Sequence, residues 1–192
     1  LAGFHGPLMV AGFFGVVISL ERAVAAARLW AYAAPLACGL AGIAIFVGEP
    51  SVAAGLATLG AAILALASFR FVAMQPEAHT MTIAAGAVAL AAGNLAWYAT
   101  GQPSAAVPAW AAFLVLTIAG ERLELSRFLP RSTPVRATFV AIAVAIGASA
   151  VFASDPRGAR AFGAALLALA AWLAVNDLAR RTVRDTGLTR FT

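Results

Sequence analysis

The sequence predicts an all-α, polytopic transmembrane helical bundle forming one domain over residues 1–192. Three observations carry that prediction. Hydrophobic residues make up 62% of the chain and charged residues only 11%, where soluble domains carry about a quarter charged residues. Seven apolar stretches fill almost the whole chain, at 3–20, 30–48, 51–74, 79–100, 107–127, 135–153 and 160–180. Each holds the ~20 residues with which a helix rising ~1.5 Å per residue crosses ~30 Å of hydrocarbon. Finally, the arginines gather at alternate joints between the stretches.

The first stretch opens on Phe4-His5-Gly6-Pro7 and closes with Ile18-Ser19-Leu20-Glu21-Arg22-Ala23; the second begins beyond Arg28. Later stretches are separated by short turn signals: Gly48-Glu49-Pro50-Ser51, Gln75-Pro76-Glu77, Gly101-Gln102-Pro103-Ser104, Pro130-Arg131-Ser132-Thr133-Pro134 and Ser154-Asp155-Pro156-Arg157-Gly158. Such short joints make consecutive helices antiparallel neighbours and leave no length for a separate soluble domain. Inside the stretches, Gly12, Gly15, Gly39, Gly42, Gly86 and Gly93, with dense alanine, predict the close backbone approach on which helix association in lipid depends. Trp30, Trp97, Trp110 and Trp172 fall near span ends, where an aromatic belt is expected. Asn94 is expected to bridge helices.

Cationic loops are retained on the cytoplasmic side. Eleven of the 13 basic residues, Arg22, Arg28, Arg70, Arg122, Arg127, Arg131, Arg136, Arg180, Arg181, Arg184 and Arg190, fall at one face, and Arg157 and Arg160 at the other. The expected placement is the bacterial inner membrane, entered from outside and left on the cytoplasmic side. The apolar opening on Leu1, with no methionine or basic leader, and the run Gly187-Leu188-Thr189-Arg190-Phe191-Thr192 lead us to expect further sequence at both ends.

All cations are arginine; there is no lysine. A retinal Schiff base requires a lysine amine, which excludes a retinal photoreceptor despite the span count. Cys38 is the only cysteine, so neither an internal disulfide nor a cysteine-built metal site can form. The net charge of +5 fits topology and contact with anionic membrane lipid rather than nucleic acid. No phosphate-binding loop, zinc-protease or nucleophile-elbow motif occurs, so no catalytic residue is assigned.

Ionisable groups at membrane depth are costly and are functional candidates. His5 stands at the outer head of the first span and His79 at the inner head of the fourth; imidazole suits haem iron and copper. Their places, ~20 Å or more apart at ~1.5 Å per residue, prevent them from sharing one metal. The densest charge cluster comprises Glu21, Arg22, Glu121, Arg122, Glu124 and Arg127. Glu124 and Arg127 are spaced to pair, whereas adjacent Glu-Arg residues are not. A glutamate near a helix C-terminus opposes the helix dipole, so Glu21 and Glu121 each call for a cation, which pairing between spans 1 and 5 would supply. The echo of Ile18-Ser19-Leu20-Glu21-Arg22-Ala23 in Ile118-Ala119-Gly120-Glu121-Arg122-Leu123 suggests an internal duplication with parallel spans. Asp177 and Arg181 are spaced for a favourable pair.

The stretches His5-Gly6-Pro7-Leu8-Met9, Leu20-Glu21-Arg22-Ala23-Val24-Ala25, Trp30-Ala31-Tyr32-Ala33-Ala34-Pro35-Leu36, Thr117 through Arg127, and Asp177 through Arg184 resemble an uncharacterised group of bacterial polytopic proteins. That group is similar to the NnrS family of haem- and copper-containing membrane proteins linked to nitric oxide metabolism. The resemblance implies about twelve spans with further histidines beyond this chain, His5 as a haem or copper ligand and metal site, His79 as a second cofactor-binding candidate, and a role in nitrogen-oxide or respiratory metabolism. Two other functions remain open at this stage: a non-catalytic subunit packed among other membrane subunits, and a transporter or channel gated at Glu21 and Glu121.

Overall fold

The computed structural model describes residues 2–126 and 132–176. Arg127, and the proposed pair of Asp177 and Arg181, lie outside the described residues. Among the described residues seven helices are long and apolar enough to cross a membrane: α1 (His5–Ala26), α2 (Leu29–Phe46), α3 (Pro50–Met74), α4 (Ala78–Thr100), α5 (Pro103–Leu125), α6 (Thr133–Val151) and α7 (Pro156–Asn176). No strand occurs among the described residues. The all-α bundle expected from hydropathy is therefore what forms.

Helix ends follow local chemistry. α3, α5 and α6 each carry proline in the first turn, where its missing N–H is one that the helix would leave unpaired anyway. α4 starts with a reciprocal capping box: the Thr80 hydroxyl accepts from the Glu77 backbone N–H while the Glu77 side chain accepts at the third helical residue. Gly101, at φ 68°, ends α4 in the left-handed conformation that glycine adopts without Cβ strain. α1 ends on Ala27 in the same region, at φ 49°. The first span is not uniform: Leu8–Phe14 is wound as a π-helix before the chain returns to α geometry at Gly15.

Two apolar clusters fill the interior. The larger joins α1 to α5 around Ala53, Ala57, Leu64, Leu90, Trp97, Trp110 and Phe113. The smaller joins α5, α6 and α7 around Leu116, Phe139, Ile146, Leu169 and Trp172. Small residues set the spacing. A Cβ built on Gly60 would lie 2.6 Å from Cys38 Sγ and 3.0 Å from the Ala34 carbonyl, so α3 meets α2 with almost no side chain between them. On α5, a Cβ at Gly120 would lie 2.5 Å from Ile83 Cγ1 and 3.2 Å from the His79 carbonyl, so α4 and α5 touch in the same way.

The tryptophans correct one expectation. Trp97, Trp110 and Trp172 are buried at 1%, 3% and 8% exposure, and only Trp30, at 41%, stands outward. Being near a span end does not fix which way a ring faces. These indoles face inward because partners await them there: Trp110 Nε1 donates to Asn94 Oδ1 at 2.8 Å, and Trp172 Nε1 donates to the Val135 carbonyl at 3.2 Å.

Candidate functional site

The candidate residues fall into three places, for which α5 serves as a ruler. A Cβ on Gly6 would lie 3.5 Å from the Trp110 ring, whereas Arg22, further along α1, reaches Glu121. α1 and α5 therefore run parallel, with His5 at the Trp110 level or beyond. His79 lies at the Gly120 level. The ten residues from Trp110 to Gly120 span ~15 Å of helix, so the two histidines sit at opposite ends of the bundle. They do not form one site.

His5 is exposed at the head of α1, whereas His79 is buried at 5% exposure on the first turn of α4. No group of three or more His, Cys, Asp or Glu side chains that could hold a metal occurs among the described residues. Neither histidine is brought together with two further such ligands among the described residues.

The charged junction is the one place where the sequence candidates come together. Arg22 Nη2 lies 4.0 Å from Glu121 Oε1 and 3.8 Å from Glu21 Oε1. Pairing between spans 1 and 5 is therefore present, on one of its two crosswise arms: Arg22 of α1 takes Glu121 of α5. Glu21, although the adjacent residue, also lies within ion-pair range of the same guanidinium. The Arg22 side chain is only 12% exposed, its Cζ lies 6.0 Å from the centre of the Phe71 ring on α3, and its Nε is buried without a hydrogen-bond partner. Arg22 is thus wedged between α1, α3 and α5 with two carboxylates at ion-pair range and one donor unsatisfied, an arrangement that costs desolvation at that nitrogen. Arg122 is exposed and Glu124 half-buried on the same turn of α5.

Asn94 is the polar residue that sequence reasoning placed correctly but undervalued. Fully buried on α4, it donates from Nδ2 to the Ala57 carbonyl on α3 at 2.9 Å and accepts from Trp110 on α5. One amide ties three helices at the core. Three other buried hydroxyls bond to carbonyls of their own helices: Ser19 donates to the Gly15 carbonyl, Ser68 to that of Leu64 and Thr82 to that of Ala78.

The family profile described as Domain of unknown function (DUF8744) matches residues 1–192. The chain belongs to this family. No curated protein matches the chain, and no solved structure matches it.

Proposed function

We propose that this chain is a non-catalytic, structural part of a larger assembly in the bacterial inner membrane, with its arginine-rich end cytoplasmic. The observation that carries the reading is the outward surface of α6 and α7. On α6 the exposed residues include Ala137, Ala141, Ala145 and Ala148, beside Val140 and Val144; on α7 they include Ala161, Ala164, Ala168 and Ala171, beside Leu167 and Val175. By contrast, α1 turns outward Met9, Phe13, Val17, Leu20 and Val24, and α2 Leu36, Leu40, Ile43 and Phe46. Bulky residues suit lipid tails, whereas alanines repeated every three or four residues let a second helix come close, the main source of helix affinity where lipid is as apolar as the side chains. The occupant of that face is another transmembrane helix. In this reading the Arg22–Glu121 junction and the Asn94 bridge hold the bundle rigid for docking. Purification from native membranes in mild detergent tests it: stoichiometric membrane partners are expected, and a lone, monodisperse chain would contradict it.

One observation favours a second reading of the NnrS-like kind, in which a haem or copper is shared with protein outside these spans and serves nitrogen-oxide or respiratory metabolism. The outward His5 imidazole opens α1 just before the π-helical segment Leu8–Phe14, and π-helical turns gather at functional sites. Absorption spectra and metal analysis of the purified protein, with and without His5→Ala, test this reading. A Soret band or stoichiometric copper lost in the variant supports it; a colourless, metal-free protein removes it.

A further inference from the structure

α4 carries a lateral groove that the bundle's own helices leave unfilled. Its floor is one face of α4, running from Met81 through Ala85, Val88 and Ala92 to Ala96, and its walls include Phe69 of α3 and Val151 of α6; its volume is about 660 Å³. The stretch from Met81 to Ala96 extends ~22 Å along the helix axis at ~1.5 Å per residue, more than the ~15 Å depth of one leaflet's hydrocarbon. The lining is almost wholly apolar.

The charge at one mouth gives the occupant. Glu77 caps the N-terminus of α4, just before the groove residue Met81, and Arg136 of α6 places Nη2 3.2 Å from its Oε2. Arg70, next in the chain to the groove residue Phe69, is exposed at the same end. Two exposed guanidinium groups and one exposed carboxylate therefore lie at this end of the groove. Glu77 engages one nitrogen of Arg136, and a guanidinium has five N–H donors, so capacity remains for a phosphate. An acyl chain lying along this apolar face of α4 would bring its headgroup to the charged end of the groove.

We propose that this groove is a binding site for an anionic phospholipid, with one acyl tail along α4 and the phosphate at Arg70 and Arg136. Basic pockets between transmembrane helices bind acidic headgroups by the same combination of charge and tail burial. The site is separate from the alanine face of α6 and α7 and stands or falls independently of the assembly reading.

Native mass spectrometry of the full chain, delipidated in detergent and titrated with phosphatidylglycerol or phosphatidylcholine, reads the site directly. One phosphatidylglycerol per chain is expected at concentrations that leave phosphatidylcholine unbound. Ala92→Trp, which fills the groove from an exposed position, should weaken retention by about tenfold or more, and Arg70→Gln should weaken it with the tail path intact. If Ala92→Trp is not monodisperse, Ala85→Phe makes the same obstruction about two turns nearer the charged mouth. Equal retention of both lipids, or undiminished retention in the groove-filling variant, would overturn the proposal. So would a loss that follows Arg157→Gln at the opposite end instead of Arg70→Gln.

Discussion

Arg22 on α1 and Glu121 on α5 meet at 4.0 Å, 99 residues apart in sequence. Both sit near the end of a parallel helix, where a carboxylate opposes the helix dipole and is stabilised by a cation. Arg22 is 12% exposed and Glu121 38%, so the pair is neither fully solvated nor fully buried.

Removing the cation alone should cost more than removing the pair. Arg22→Gln leaves Glu121 and Glu21 facing each other without compensation and should destabilise the protein by about 1–2 kcal/mol, between the values for exposed and buried pairs. Arg22→Gln combined with Glu121→Gln should recover part of that loss. Thermal unfolding in detergent of both single variants and the double variant measures the coupling; strictly additive losses would show that the two side chains do not interact.

The Asn94 bridge makes a sharper prediction. Asn94→Leu keeps the volume but leaves the Trp110 N–H buried without an acceptor, at a cost of about 1–3 kcal/mol. Trp110→Phe in the same background should then cost little more, because the orphaned donor is gone. Unfolding temperatures of the four proteins in the cycle test this. A large, additive penalty from Trp110→Phe would mean that the ring's packing against Trp97, 6.1 Å away between centroids, matters more than its hydrogen bond.

The seven spans were legible because a bilayer imposes a length and a composition, and both are visible in the sequence. Their edges were less so: the first span was expected to end near residue 20, but α1 runs on through Arg22 to Ala26, since an arginine wedged among three helices does not end a helix. The facing of each span was hidden for a related reason. In alanine-rich helices apolar on every side, hydropathy does not separate inside from outside, and the choice is made by fit, as where Gly60 receives Cys38. Trp97 and Trp110 were misread on this account. Pairing between spans 1 and 5 was legible from the dipole argument, whereas the choice of Arg22 over Arg122 as the bridging cation depends on how the helices are rotated. The groove on α4 had no sequence signature at all, because its lining residues belong to four helices.

Glycine substitutions test that account of facing. Gly60→Ala places a methyl 2.6 Å from Cys38 Sγ and 3.0 Å from a backbone carbonyl, and should cost about 1–3 kcal/mol by overpacking. Gly42→Ala meets nothing within 4 Å and should be neutral, or stabilising by up to about 1 kcal/mol through helix propensity. Unfolding curves of the two variants, compared with the parent, should separate cleanly; equal effects would mean that α2 and α3 are not packed as described.

The most direct test of the central claim, that the chain is a structural part of a larger membrane assembly docked through α6 and α7, is crosslinking in intact membranes from a photoreactive residue placed at Ala141 or Ala168. The account predicts a discrete adduct to another transmembrane helix at those positions and none from Phe13 on the bulky face of α1. Adducts to lipid alone from all three positions would contradict it.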